Sequence, residues 1–133
     1  MIRRTQEADA EAVAALDAEL FPELCWNENS IKREIKLGWG LVITDQKGRI
    51  IGYLLVRLDG QIADIIRVGV TKKHQGKGHG RALLREAIDK LSSPMMLTVR
   101  KNNKAAKKLY LSAGFVPRGF DGEEGFILVR DQG

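Results

Sequence analysis

The sequence predicts an α/β fold in which a mixed, mostly antiparallel β-sheet is flanked by about four helices. Three apolar runs rich in β-branched residues follow one another between residues 41 and 70, with short turns between them. This pattern is typical of an antiparallel meander. After residue 70 the order becomes strand, loop, helix, strand, and a strand that is reached through a helix runs parallel to the preceding strand. The sheet is therefore expected to be mixed.

The first forty residues predict one short strand, at the N-terminus, and two helices. Asp9 is a good N-cap for a helix over residues 10–20, and Phe21-Pro22 ends that helix. Asn29 or Ser30 is expected to cap a second, shorter helix. The inward positions of the two helices are predicted to be Ala12, Val13, Leu16, Leu20, Ile31, Ile35 and Leu37.

The remainder of the chain, to residue 133, predicts six strands and two helices within the same single domain. Asp59-Gly60 is a strong hairpin signal between two long strands, and Gly114 is a natural residue to end the last helix. The predicted strands cover residues 41–44, 50–58, 61–70, 95–100, 115–120 and 125–129, and the predicted helices cover residues 80–91 and 103–113.

A loop with three glycines separates the third strand of the meander from the next helix. Residues 68–81 read V-G-V-T-K-K-H-Q-G-K-G-H-G-R. A helix that starts after such a loop presents unpaired N–H groups and a partial positive charge, so it favours a phosphate. The Walker pattern is absent, and Arg81 occupies the last glycine position of the dinucleotide pattern. The loop does fit Q-x-x-G-x-G, as Gln75, Gly78 and Gly80, although a plain glycine-rich connection has the same features.

The composition favours a polyanionic ligand and a reducing compartment. The formal net charge is +5 and the pI is about 9.5, which suits coenzyme A or a nucleic acid. Nucleic acid is the less favoured alternative, because few aromatic residues accompany the lysines near residues 104–108. Cys25 is the single cysteine, and no apolar run approaches the roughly 20 residues of a membrane span. We therefore expect a cytoplasmic protein without membrane attachment, and no residue cluster has metal-ligand spacing.

A second motif follows at the expected distance from the loop. Residues 97–115 read L-T-V-R-K-N-N-K-A-A-K-K-L-Y-L-S-A-G-F, which is similar to L-x-V-R-x-x-N-x-x-A-x-x-L-Y-x-x-x-G-F. This pattern, together with the loop, resembles the GNAT N-acetyltransferases of the ribosomal-protein N-terminal type. The resemblance implies the GNAT fold, in which the sheet splays between two parallel central strands. From spacing alone, Asn103 and Tyr110 lie on one side of a helix and could line a cleft. The alternative is that Asn103 caps the helix and Tyr110 packs in the core.

The resemblance implies acetyl-CoA as the cosubstrate, no metal, and direct attack of an amine on the thioester. Tyr110 would protonate the departing thiolate. Asn103 would bind the pantetheine, the last strand of the meander would offer backbone groups to it, and the loop would wrap the pyrophosphate. The implied cofactor-binding residues are Val68, Gly69, Val70, Gln75, Gly76, Lys77, Gly78, His79, Gly80, Arg81 and Asn103.

The general base is where this sequence departs from the ribosomal type. Those enzymes resemble one another in a glutamate at the position of Thr98, and threonine cannot be a base. If the strand 61–70 is regular, Asp64 shares a face with four aliphatic residues, where a carboxylate has a raised pKa and can act as a base. A simple solvated position near the hairpin is the alternative. Histone-type members place a catalytic glutamate six residues before the end of this strand, as Asp64 is before Val70, so Asp64 is the preferred base.

The expected acceptor is a protein N-terminal α-amine or a lysine. An α-amine of pKa about 8 costs roughly 1.4 kcal/mol to deprotonate at pH 7, against roughly 4.6 kcal/mol for lysine, so a weak base suits an α-amine. A small amine such as a polyamine or aminoglycoside, or an acyl-CoA-binding module without turnover, is the alternative. The carboxylates of Asp121, Glu123 and Glu124 either attract a cationic acceptor or keep the last hairpin soluble. The sequence carries no indication of an oligomeric state.

Overall fold

The computed structural model of the protein describes residues 1–122 and 125–131. These residues form one seven-stranded sheet with the strand order β1-β2-β3-β4-β5-β7-β6. The pair β4–β5 is parallel and every other pair is antiparallel. The strands are β1 (Ile2–Arg4), β2 (Trp39–Thr44), β3 (Ile50–Asp59), β4 (Ile62–Val70), β5 (Met95–Arg100), β6 (Val116–Asp121) and β7 (Gly125–Arg130), and the helices are α1 (Ala10–Leu20), α2 (Glu28–Leu37), α3 (His79–Lys90) and α4 (Lys104–Ser112).

The four helices cover the two faces of the sheet. On one face, Leu83 and Leu84 of α3 and Tyr110 of α4 belong to a core cluster with the inward residues of β2 to β5 and β7. On the other face, α1 and α2 pack against β2 and β3 in a second cluster that contains Val13 and Ile31. No helix among the described residues is both long and apolar enough to cross a membrane. The predicted mixed sheet with flanking helices is confirmed.

The predicted meander is confirmed, but its third strand is not regular. The register of β3 against β4 shifts where Leu55 pairs with Arg67 and Val56 pairs with Ile65, so Ile66 is an extra residue in β4. A bulge of this kind reverses the alternation of side chains beyond it. Ile66 packs in the cluster of α1 and α2, whereas Val68 packs in the cluster of α3 and α4. The prediction that Asp64 shares a face with Val68 and Val70 is therefore wrong.

The parallel pairing of β4 with β5 is short. Two residue pairs hold these strands together, Ala63 with Met95 and Asp64 with Met96. Beyond them each strand is paired on its outer side, β4 with β3 and β5 with β7, through the rest of its length. The sheet therefore opens between β4 and β5 toward their carboxyl ends, as the predicted splay requires.

Several local predictions in the first two helices need correction. Asp9 immediately precedes α1, but its carboxylate accepts from the N–H of Gln6 and from Arg3 rather than capping the helix. The cap of α2 is Asn27, whose side chain accepts from the N–H of Ser30. Ala12 is exposed, and Leu37 is 73% exposed at the end of α2.

The inner side of α1 carries a buried carboxylate that the sequence analysis did not place there, that of Asp17. Asp17 is completely buried and accepts hydrogen bonds from the hydroxyl of Tyr53 and, at 2.8 Å, from the N–H of Trp26. Arg67 forms an ion pair with it at 3.0 Å. The acidic charge and both oxygens of Asp17 are thus satisfied, which is what burial of a carboxylate demands. Burial and the neighbouring Asp17 raise the pKa of Tyr53, so this hydroxyl stays protonated.

We predict that Asp17→Ala destabilises the protein by about 3–5 kcal/mol. The change would leave the buried Tyr53 hydroxyl and the largely buried Arg67 without their partner, and breaking a buried ion pair costs about this much. Urea unfolding followed by circular dichroism measures the change. Asp89→Ala, at an exposed position of α3, is the control and should change the free energy of unfolding by less than about 0.5 kcal/mol. Equal stability of the two variants would contradict the role of Asp17.

Candidate active site

Most of the glycine-rich loop between β4 and α3, together with the start of α3, borders a cavity of about 410 Å³ on the α3–α4 side of the sheet. The end of β4 forms its floor, and one side of α4 forms its far wall. The residues lining this cofactor cavity are Leu20, Phe21, Val68, Gly69, Val70, His74, Gln75, Gly76, Gly78, His79, Gly80, Asn103, Ala105, Ala106, Leu109 and Tyr110. Nine of the eleven residues that the sequence analysis assigns to the cofactor line this cavity.

The start of α3 lines this cavity through Gly78, His79 and Gly80. Gly78 has a φ of +86° and is the residue from which α3 begins. Such a backbone conformation is open to glycine and strained for other residues. The first N–H groups of a helix have no partner within the helix, so the start of α3 supplies hydrogen-bond donors and a positive dipole end. This arrangement suits a pyrophosphate.

A single carboxylate connects the end of α1 with the start of the loop. Glu19 accepts from the N–H of Lys72 at 2.9 Å and from the hydroxyl of Thr71 at 3.0 Å. These hydrogen bonds hold the pKa of Glu19 below its ordinary value. On the other side of the loop, the Gln75 amide donates to the carbonyl oxygen of Val70 at 2.9 Å. The loop is therefore fixed to both α1 and β4.

A second cavity, of about 300 Å³, lies at the opening between β4 and β5. We call it the acceptor cavity. It shares Phe21, Val68, Asn103, Ala106 and Tyr110 with the cofactor cavity, so the two meet at these side chains. Its remaining lining residues are Leu24, Ile65, Ile66, Arg67, Leu97, Thr98, Val99 and Arg100.

Tyr110 lies at the junction of the two cavities and is 9% exposed. Its ring packs edge-to-face against Phe115, with ring centroids 5.9 Å apart. Burial raises the pKa of Tyr110 to about 12. The phenol is therefore protonated throughout the neutral range and can act as a hydrogen-bond donor to an atom that lies between the cavities.

Asn103 combines the two roles that its sequence position suggests. Its side-chain oxygen accepts from the N–H of Ala106 at 3.2 Å, so it caps α4. Asn103 also lines both cavities. Because the cap engages the oxygen, the amide NH₂ group remains as the donor end of this side chain.

Two residues of the predicted cofactor set do not line the cofactor cavity. Lys77 lines a surface depression together with Asp45 and His79. Arg81 lines another depression, between α3 and the end of α4, with Arg85 and Arg130 among its neighbours. Their positions in the loop still allow backbone contacts with a pyrophosphate. The structure does not bring these two side chains into the lining of the cofactor cavity.

Asp64 lies on the opposite side of the sheet from the cofactor cavity. Its neighbours Ala63 and Ile65 both point into the cluster of α3 and α4, so Asp64 points toward the side of α1 and α2. Thr98, between the buried Leu97 and Val99, points the same way. Asp64 pairs with Met96. Met96 is two residues before Thr98 on β5, so the side chains of Met96 and Thr98 lie on the same side of the sheet. Asp64 is not among the residues that line the acceptor cavity.

The environment of Asp64 alters its protonation. Burial raises the pKa of this carboxyl, while the guanidinium of Arg57 opposes the rise and the carboxylate of Asp59 adds to it. A carboxylate with a raised pKa is a stronger base than a solvated one.

The sequence did not indicate that the end of α1 or Arg67 belongs to the site. Leu20 and Phe21 line the cofactor cavity, and Arg67 lines the acceptor cavity. One signal was available. Asp17 lies four residues after Val13 and one after Leu16, so a charge falls on the apolar stripe of the helix. A charge in that position requires a buried partner, which here is Arg67.

Comparison with known proteins decides the family. The model of the acetyltransferase (GNAT) family matches residues 5–115. The chain belongs to the GNAT family. It is accordingly an N-acetyltransferase that uses acetyl-CoA, and the fold predicted from the two motifs is confirmed. The family match includes both the glycine-rich loop and the segment from Asn103 to Phe115.

Relatives of this GNAT protein act on more than one kind of acceptor. It is 31% identical over 140 residues to N-alpha-acetyltransferase RimI of Mycobacterium tuberculosis, covering 95% of this chain and 89% of that protein. This chain is 28% identical over 136 residues to the L-amino acid N-acyltransferase MnaT of Escherichia coli, and the match covers 86% of this chain and 78% of MnaT. The crystal structure of the ribosomal-protein-S18-alanine N-acetyltransferase of Escherichia coli superposes with a TM-score of 0.87 at 21% identity, covering 99% and 93% of the two chains.

Within residues 1–122 and 125–131, no group of three or more histidine, cysteine, aspartate or glutamate side chains could hold a metal ion. Glu123 and Glu124, for which the sequence left attraction of a cationic acceptor and solubility of the hairpin open, lie outside the described residues.

We predict that Gly78→Ala weakens acetyl-CoA binding at least tenfold. A Cβ at residue 78 would meet no atom within 4 Å, so the change acts through the backbone, which a left-handed alanine strains by about 1 kcal/mol. Relaxation of that strain would turn the donors of the loop away from the pyrophosphate. Isothermal titration calorimetry measures the dissociation constant.

Gly48→Ala is a matched control for this variant. Gly48 has a φ of +80°, its Cβ would also meet nothing within 4 Å, and it lies in the turn before β3. Both variants should lose similar stability, while Gly48→Ala keeps wild-type affinity for acetyl-CoA. Equal affinities in the two variants would show that the conformation of Gly78 does not matter for the cofactor.

Proposed function

We propose that this enzyme transfers the acetyl group of acetyl-CoA to the α-amine of a protein or peptide N-terminus. The observation that carries the proposal is the position of Tyr110 where the cofactor cavity meets the acceptor cavity. The thioester would lie at this junction, with the amine arriving from the acceptor cavity. The relationship to an N-alpha-acetyltransferase over most of both chains supports this acceptor class.

In this proposal the cofactor is held by backbone groups and by Asn103. The N–H groups of the loop and of the start of α3 bind the pyrophosphate. The pantetheine lies along the end of β4, whose edge is free of β5 beyond Asp64, so Val68 to Val70 can pair with its amides as a neighbouring strand would. The NH₂ group of Asn103 donates to a pantetheine carbonyl. The thioester then reaches Tyr110.

The chemical step is direct attack of the neutral amine on the thioester carbonyl carbon. A C–N bond forms, the C–S bond breaks, and coenzyme A leaves as the thiolate. The amine nitrogen loses one proton before attack and one afterward. Holding both reactants in adjoining cavities makes the step effectively unimolecular.

Tyr110 stabilises the departing sulfur in this proposal. Its pKa is about 12, whereas that of a thiol is about 8.5, so complete proton transfer to a free thiolate would be uphill by about 5 kcal/mol. The phenol therefore acts chiefly by donating a hydrogen bond while charge develops on sulfur. The thiolate takes its proton from bulk water after coenzyme A leaves, and Tyr110 keeps its own proton.

Asp64 is the proposed base, acting through water. It lies on the same side of the sheet as Thr98, which lines the acceptor cavity, and its pKa is raised by burial. The carboxylate does not line the cavity itself, so contact with the amine would need an intervening water. A base at this distance suits an acceptor that is easy to deprotonate, and an α-amine of pKa about 8 is such an acceptor.

We predict that Tyr110→Phe lowers kcat about 100-fold and leaves acetyl-CoA affinity within threefold of wild type. The ring still fills its place beside Phe115, but the donor to the sulfur is lost. Release of free thiol from acetyl-CoA, with a panel of N-terminal peptides, polyamines and aminoglycosides, measures kcat. Calorimetry with coenzyme A provides the control for binding. A variant as active as the wild type would remove Tyr110 from the mechanism.

We predict that Asp64→Asn lowers kcat/KM about tenfold at pH 7 and has little effect above pH 9. A carboxylate with a raised pKa acts as a base above that pKa and stops acting as pH falls through it. Above the pKa of the acceptor amine, the amine is neutral without help. The pH dependence of thiol release from pH 5.5 to 9.5 measures the effect, with Asp89→Asn as the surface control. A constant ratio between variant and wild type across this range would exclude Asp64 as the base.

A further inference from the structure

The acceptor cavity is positively charged along the described part of its wall. Its lining contains two ionisable side chains besides Tyr110, and both are arginines, Arg67 and Arg100. No aspartate or glutamate among the described residues lines it. A cavity that must receive an amine would gain from carboxylates if the acceptor carried further positive charges. This cavity has the opposite charge.

We infer that the acceptor carries a carboxylate next to its reactive amine, and that Arg100 and Arg67 recognise it. The inference rests on the proposed function, because it specifies the acceptor of the same site. An acidic side chain at the start of a peptide and a free amino acid are the two sources of such a carboxylate, and the test below distinguishes them. Both have the same chemistry, an amine and an anion a few ångströms apart.

Arg67 is held rigidly in the cavity wall. Its guanidinium donates to both oxygens of Asp17, at 3.0 and 3.1 Å, and to the carbonyl oxygen of Leu24 at 3.2 Å. It also stacks between two aromatic rings, 4.6 Å from the centroid of Phe21 and 4.7 Å from that of Trp26. A guanidinium fixed in this way loses little entropy when it donates a further hydrogen bond. Asp17 offsets much of its charge, so Arg67 acts mainly as an oriented donor.

Arg100 supplies the charge that is not compensated. It is the last residue of β5 and is exposed, and it alternates with the buried Val99, so it lies on the same side as Thr98. No hydrogen bond or ion pair to the guanidinium of Arg100 is present among the described residues. The guanidinium is therefore available to a ligand at the mouth of the cavity. Arginine and carboxylate form paired hydrogen bonds of matched geometry.

The charge of the cavity has two consequences for selection. A lysine, a polyamine or a peptide with a basic second residue brings a second cation toward Arg100, which is unfavourable. An acceptor with an acidic second residue gains an ion pair at a partly exposed site, which corresponds to about a fivefold preference over a neutral residue. The preference between acidic and basic acceptors is then at least tenfold.

The test uses thiol release from acetyl-CoA with matched acceptors. Three peptides begin with serine and carry aspartate, alanine or lysine as the second residue. Free amino acids and their amides form a second series, because amidation removes the carboxylate and keeps the amine. We expect kcat/KM to fall from aspartate to alanine to lysine, and at least tenfold in total. A larger loss on amidation than on removing the aspartate would identify a free amino acid as the source of the anion.

Arg100→Glu should reverse this order, so that the lysine peptide becomes the better substrate. Arg118→Glu changes the same charge at an exposed residue of β6 that does not line the cavity, and it should keep the wild-type order. A wild-type enzyme that prefers the lysine peptide, as an acidic terminal hairpin would produce, overturns the inference. The same holds if Arg100→Glu leaves the order unchanged.

Binding of the products separates this inference from the proposed function. The N-acetylated forms of the three peptides are titrated into the complex of enzyme and coenzyme A by calorimetry. If no acceptor is turned over, the proposed function fails, and tighter binding of the aspartate product that Arg100→Glu abolishes would still support the charge selection. Equal binding of the three products would overturn the selection whether or not the enzyme turns over.

Discussion

The early end of pairing between β4 and β5 is the constraint on which the site depends. Two residue pairs join these strands, and both strands keep full antiparallel partners on their outer sides. The opening between them leaves backbone groups in the middle of the sheet without strand partners, which costs free energy unless a ligand or water supplies hydrogen bonds. A pantetheine arm, with its two amides, is a ligand that fits this need. In the proposed complex the cofactor would complete a sheet that the protein leaves incomplete.

Buried charge as well as apolar packing holds the side of the opening that faces α1. Asp17 joins α1, β3, β4 and the segment before α2 through Tyr53, Arg67 and Trp26. An apolar replacement could be as stable, but it would not fix the direction of the Arg67 guanidinium. The ion pair therefore contributes geometry to the acceptor cavity as well as stability to the fold.

Most of the fold and of the cofactor cavity could be predicted from the sequence because their signals are local. The glycine loop, the turn at Asp59-Gly60 and the spacing from Asn103 to Tyr110 each lie within one short segment, and the structure places them as expected. The bulge at Ile66 could not be predicted, because it arises from the register of two strands. The directions in which the side chains of Arg81 and Asp64 point could not be predicted for the same reason, because the packing of neighbouring elements determines them.

The acceptor cavity was the least predictable part because distant segments build it. Phe21, Arg67 and Arg100 come from three different elements, and no spacing rule connects them. Asp17, the charged residue on the apolar stripe of α1, indicated a buried partner. The sequence did not identify which arginine forms the ion pair with it. The charge of the cavity wall is therefore a property of the tertiary structure.

The hydrogen bonds of Glu19 have a consequence for communication between the two substrates. One carboxylate at the end of α1 accepts from both Thr71 and Lys72 at the start of the cofactor loop, and the next two residues, Leu20 and Phe21, line the cofactor cavity. Phe21 also borders the acceptor cavity and stacks on Arg67. A movement of the loop around a pyrophosphate would be passed through three consecutive residues to the acceptor wall. The end of α1 thus links the loop that would hold the cofactor to the wall of the acceptor cavity.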